Sequence, residues 1–178
     1  MKKISVFQIA ILITTIFIFM LPNLNNKNLQ AKNGSKLKDK PKNDDMGKKP
    51  FVLDIEKATM ENTSFRHVKW TGAHLQMVLM NVKPGEEIDL EMHPAVDQFL
   101  RIEQGQAQIL MGKTKQDLSF NKTVSDDWAI LIPAGYYHNV KNTGKTDLKL
   151  YSIYAPANHP AGTIHKTHQD AKKAHEKH

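Results

Sequence analysis

From Phe51 to Pro160 the chain is cut into short apolar runs by glycine, proline and asparagine, and this punctuation limits its folds more than any other feature. His74–Val82 stops at Pro84-Gly85, Ile88–His93 follows, Gln98–Ile102 ends at Glu103-Gln104-Gly105, and Gln106–Met111 ends at Gly112. Trp128–Ile132 leads into Pro133-Ala134-Gly135, Tyr136–Val140 into Asn142-Thr143-Gly144, and Leu148–Tyr154 into Ala155-Pro156. Runs this short carry no sustained helical period, whereas they suit half-buried strands joined by tight turns. The expectation is an all-β domain, built as an antiparallel sandwich or barrel. No segment repeats at the period of a solenoid.

The ends have a different composition. Lys2 and Lys3 precede an apolar run, Ile4–Leu21, and Leu29-Gln30-Ala31 offers a small residue at a cleavage position. A positive start followed by such a run reads as a signal peptide or membrane anchor over residues 1–31. The domain is therefore expected outside the cytoplasm: periplasmic, cell-surface, secreted, or anchored through residues 4–21. Residues 32–50 are rich in Lys, Asn, Asp, Gly and Pro, which suits a flexible linker. Residues 163–178 read as a polar helical tail carrying His165, His168, His175 and His178 within one helical arc.

A formal net charge of +7 invites a nucleic-acid reading, and its distribution removes that reading. Residues 1–50 hold ten lysines against three aspartates, while residues 51–162 hold eleven basic against thirteen acidic residues. Arginine, the main reader of phosphates and base edges, occurs only at Arg66 and Arg101. The absence of cysteine excludes disulfides, thiolate metal ligands and a cysteine nucleophile. Histidine and oxygen remain as ligands.

Two spaced motifs carry the chemistry. Gly85 is followed after five residues by Glu91-Met92-His93, after four more by Gln98, and after six more by Gly105. Asp127 is followed after five residues by Pro133-Ala134-Gly135, then by His138 and Asn142. This pair resembles the two motifs of the cupin superfamily, with Glu91 in place of a histidine, Gln98 in place of a glutamate, and Asp127 in place of a glycine. The resemblance implies a double-stranded β-helix (jelly-roll) barrel over residues 51–162 with a small-molecule pocket in its mouth.

Strand side chains alternate between faces, so Glu91 and His93 point the same way and Met92 the other. Gln98 shares an inward face with Leu100 and Ile102, and the Pro133-x-Gly135 turn brings His138 inward. Glu91, His93, Gln98 and His138 thus offer two imidazole nitrogens and two oxygens to Mn²⁺, Fe²⁺ or Zn²⁺. Phosphomannose-isomerase-like cupins resemble this inventory, which implies metal-assisted aldose–ketose isomerisation. An Fe(II)-dependent dioxygenase and a non-catalytic carbohydrate-binding module are the alternatives. His74, Tyr136 and Tyr137 are the candidate acid–base or substrate-contacting residues. Trp70 and Trp128 read as core or rim residues, and the methionines Met77, Met80, Met92 and Met111 as barrel packing. The expected partner is a small molecule, with a membrane contact through residues 4–21 and a homodimer as further expectations.

Overall fold

A computed structural model describes residues 44–176. The expected signal or anchor, and the linker before Asp44, lie outside the described residues. Ten strands form two antiparallel sheets: β1 (Arg66–Thr71), β2 (Gln76–Val82), β3 (Glu87–Met92), β4 (Asp97–Gln104), β5 (Gln106–Gly112), β6 (Phe120–Ser125), β7 (Ala129–Ile132), β8 (Tyr137–Asn142), β9 (Leu148–Ala155) and β10 (Ile164–His165). The larger sheet runs β10-β1-β2-β9-β4-β7, and the smaller runs β3-β8-β5-β6. This is the expected two-sheet jelly roll.

The core lies between the sheets and is made by alternate residues. Val78, Met80 and Val82 of β2 meet Leu100 and Ile102 of β4, Ile109 of β5, Val140 of β8 and Leu148 and Leu150 of β9. Burying each such side chain contributes roughly 1.5–3 kcal/mol. β2 is buried along its whole length, because helix α1 (Ile55–Glu61) packs on β2, β4 and β9. Asp54 starts that helix by accepting a hydrogen bond from the Lys57 amide at 3.1 Å.

Four elements escape the sequence pattern: α1, β1, β6 and β10. β1 reads Arg-His-Val-Lys-Trp-Thr, and β6 is an edge strand in which only Val124 is buried. Neither shows an apolar run. His74, expected to open a strand, lies instead in an exposed bend before β2.

Both boundary regions are bound to the barrel more tightly than composition implies. Before Pro50, the Asp45 carboxylate accepts from the Thr71 amide (3.0 Å), the Thr71 hydroxyl (2.7 Å) and the Gly162 amide (2.9 Å). Asp44 pairs with His67 and Lys69. The tail adds β10 to the larger sheet beside β1 and then forms α2 (His168–His175). Thr167 and Asp170 cap α2 reciprocally, Ala171 is buried, and His168 and Lys172 both reach Asp89 of β3 (2.8 and 3.5 Å). Of the tail histidines, His165 meets Arg66 and His168 meets Asp89, while His178 lies outside the described residues. Among the described residues, no helix is long and apolar enough to cross a membrane.

Candidate metal centre

A bulge in β3 sets the orientation of its carboxylate. Ile88 pairs with Val140 and Glu91 with His138, so the register slips by one residue between them. Ile88 and Glu91, three apart, consequently both face the barrel interior, while Leu90 is 40% exposed. A regular strand with Ile88 inward would have turned Leu90 in and Glu91 out. His93 follows β3 at the turn, and Glu91 lies directly across from His138 of β8.

Glu91, His93 and His138 form one group whose ligand atoms lie within 4.8 Å of one another. Glu91 Oε1 is 3.3 Å from His93 Nε2 and 3.4 Å from His138 Nε2. None of the three atoms has an aligned hydrogen-bond partner, and all are sealed from solvent. The other nitrogen of His138, Nδ1, lies 3.1 Å from the Tyr136 carbonyl. A proton on Nδ1 would bond that carbonyl and leave Nε2 as a lone pair facing the group.

Gln98 lies buried on the facing sheet. Its amide nitrogen donates to Ser152 Oγ at 3.0 Å, and its Oε1 is left without a partner. Buried polar atoms are rarely left unpaired, and four of them on the inward faces of one barrel call for an occupant. Two ligands at about 2.1 Å from one ion stand roughly 3–3.5 Å apart, which the Glu91–imidazole separations match. Two imidazole nitrogens, a carboxylate and an amide oxygen fit a borderline divalent cation. Burial pushes the Glu91 carboxyl up, but the facing His138 and His93 imidazoles and the Arg66 charge outweigh it. The group is held well below the ordinary carboxylate range and stays ionised.

The interior holds three further polar groups that sequence reasoning did not place there. Tyr154 of β9 is wholly buried, its hydroxyl is unpartnered, and its ring meets His93 edge-on at 5.7 Å. Burial and the Glu91 charge raise its phenol above the usual range, so it remains protonated. His159 stacks edge-on to Tyr154 at 5.1 Å with its Nε2 sealed and unpartnered. Burial, with the Arg66 charge, lowers its imidazole to about 3, so it is neutral near pH 7. Gln76 holds it in place, because its side chain donates to the His159 carbonyl (2.8 Å) and accepts from the His159 amide (2.9 Å). Arg66 of β1 is 2% exposed. The alternation of β1, with Val68 in the core two residues on, is the sequence signal that would have turned Arg66 inward.

Of the candidate acid–base residues, Tyr136 and Tyr137 directly precede His138, and the Tyr136 carbonyl faces His138 Nδ1. His74 is exposed. The Tyr136 ring packs on the core edge under Lys113 (3.9 Å), and Tyr137 lies near Lys115 (5.8 Å). Trp128, expected in the core or at the rim, is 44% exposed.

Comparison with known proteins agrees with this architecture. A family model described as "Cupin domain" matches residues 78–154. The chain is 58% identical to Uncharacterized protein YrkC of Bacillus subtilis (strain 168) over 130 residues, covering 73% of this chain and 70% of that protein. It is 44% identical to Uncharacterized protein L612 of Acanthamoeba polyphaga mimivirus over 115 residues, covering 64% of this chain and 70% of that one. The crystal structure of BH2720 from Bacillus halodurans superposes with a TM-score of 0.72 at 53% identity, covering 72% of this chain and 98% of that one. With the two-sheet barrel, the paired motifs and these relatives in agreement, the chain belongs to the cupin superfamily.

Proposed function

We propose that this protein binds a divalent metal ion through Glu91, His93, Gln98 and His138 and uses the site on a small organic molecule, in isomerase-like chemistry. The observation that carries the reading is the set of four buried, unpartnered ligand atoms on those residues. A bound divalent ion would polarise a carbonyl or hydroxyl oxygen as a Lewis acid. The chain's own contribution is hydrogen bonding. Tyr154 keeps its proton and can donate a hydrogen bond to a bound oxygen, and the neutral His159 beside it can accept one.

The test begins with metal analysis of protein purified from its own host, followed by incubation with small aldoses and ketoses in D2O. About one equivalent of metal and deuterium appearing beside the carbonyl carbon support the reading. Metal without exchange but with oxygen consumption moves the assignment to an Fe(II) dioxygenase. Ligand-dependent thermal shift with neither reaction moves it to a binding module. No metal, unchanged by Glu91→Ala, removes the site.

The amino-terminal pattern supports export, and we place the barrel outside the cytoplasm on that ground. The mass of the mature chain tests it: loss of residues 1–31 is expected for a cleaved signal, and an intact chain in the cytosolic fraction would refute export.

A further inference from the structure

Helix α2 closes one seam of the barrel. A two-sheet fold is open where edge strands face each other, and β10 and β3 are edge strands of the larger and smaller sheets. α2 follows β10 and reaches across to β3, where His168 and Lys172 meet Asp89 at 2.8 and 3.5 Å. Its contact with the interior is small. Ala171 is its buried residue, and the His168 ring lies 5.0 Å from the Phe65 ring.

Beneath the helix is a cavity of about 360 Å³, bounded by Ala171, Lys172 and Glu176 of α2 and by Arg66, Ile88 and Glu91 of the barrel. At about 30 Å³ per water this is room for roughly ten molecules, whereas protein interiors otherwise leave few voids larger than one. Arg66 faces the ionised Glu91 and Lys172 reaches Asp89, so both cations are already matched by carboxylates. What the cavity offers is a way to Glu91, whose side chain is 16% exposed while that of His138 is 1% exposed. The helix over it is lightly held. Eight residues are too few for a helix to persist by itself in water. Its ion pairs go to an Asp89 side chain that is 44% exposed, where such pairs contribute little.

We propose that α2 is a lid: it undocks from Asp89 and Phe65 to open this cavity, and what binds at Glu91 enters by that route and is enclosed when the helix redocks. The opening stands on the geometry of α2, and only what passes through it rests on the metal reading above. A lid changes entry and release by the same factor and leaves Kd alone, whereas a helix that merely supports the site changes Kd.

The chain has no cysteine, so a thiol introduced by substitution is the only one present. Ile88 lines the cavity and Val82 does not, and they are equally buried, at 1% and 0%. In the full metal-free chain, Ile88→Cys and the control Val82→Cys are labelled with methyl methanethiosulfonate and followed by mass. Ile88→Cys should label about a hundredfold or more faster than Val82→Cys, since undocking α2 requires far less than opening the core. Adding His168→Ala and Lys172→Ala should raise its rate by about threefold. Labelling at Ile88 no faster than at Val82, or unmoved by the α2 changes, overturns the lid. The second arm times Zn²⁺ uptake, and its extraction by EDTA, in the parent and in the His168→Ala/Lys172→Ala variant. Both rates should rise by about threefold with Kd unchanged. A changed Kd with unaltered uptake overturns the lid in favour of a supporting helix, and zinc rates unmoved while labelling rises overturn the route to Glu91. Should Ile88→Cys fail to fold, the zinc arm decides. Should no Zn²⁺ bind, the metal reading fails and the labelling decides alone.

Discussion

Gln98 is the residue at which charge and geometry separate. The grouped ligand atoms include one carboxylate, and in the proposed site Gln98 would add a neutral oxygen. Gln98→Glu would place a second carboxylate on an inward face of the same barrel. In the metal-free protein this should lower stability by about 1–4 kcal/mol, since like charges in one buried site raise a carboxyl pKa by roughly one to three units. With metal added, the same variant should bind more tightly than the parent. Chelator-treated and metal-loaded melting curves check both signs. His159 gives a separate prediction at this scale. Its folded pKa is about 3 against an ordinary 6.5, so between these values the unfolded chain binds a proton that the folded chain refuses. Stability attributable to this group is complete above pH 6.5 and falls on acidification by about 1.4 kcal/mol per pH unit. His159→Gln should flatten the acid side of the stability profile between about pH 6 and pH 4, read by urea unfolding at each pH.

At the scale of elements, the substituted motif positions acquire reasons. Asp127 stands where the motif has glycine, and its φ is +69°, in the left-handed region. It is the third residue of the turn closed by the Trp128 amide on the Ser125 carbonyl at 3.2 Å. Aspartate tolerates that conformation better than most residues, so the turn survives the exchange. Asp127→Gly should leave stability unchanged or raise it by up to about 1 kcal/mol, because the Arg101 contact it loses is exposed. Asp127→Val should lower it by about 1–2 kcal/mol. Thermal unfolding of the two variants makes the comparison. Helix α2 is the second case: it is short and polar, held by its capping box, Ala171 and the Asp89 contacts. Truncation after Lys166 should cost about 1 kcal/mol, roughly 3–5 °C in Tm, while metal stoichiometry stays the same. Loss of metal with α2 would show that the helix belongs to the site.

For the whole molecule, the four unpartnered ligand atoms make stability depend on occupancy. A cation that binds only the folded barrel stabilises it by about 2.7 kcal/mol at a hundred times its Kd. Zn²⁺ or Mn²⁺ titration should therefore raise Tm of the parent and leave Glu91→Ala unmoved.

Much of the barrel was legible in the residues, and the gaps are specific. Strands such as β4 and β9, apolar on one face and bounded by turns, announce themselves. β1 and β6 do not, because one carries its charges inward or onto Asp44, and the other is an exposed edge. Motif spacing identified Glu91, His93, Gln98 and His138 as a set without their distances. His74 is expected on the face of Gln76 and Val78, but β2 begins only at Gln76 and leaves it in an exposed bend. The groups that do share the interior, Arg66, Tyr154 and His159, come from β1, β9 and the loop after β9.

Local rules therefore decided a large part of this protein by themselves: the turns, the alternation of faces, the ligand chemistry and the exclusion of sulfur. Those properties depend on residues a few positions apart. Tertiary structure alone decided that a bulge turns Glu91 inward, that α2 docks on Asp89, and that Arg66 lies buried where its charge acts on Glu91. These depend on register and on contacts between residues distant in the chain, and sequence spacing within one strand does not determine either.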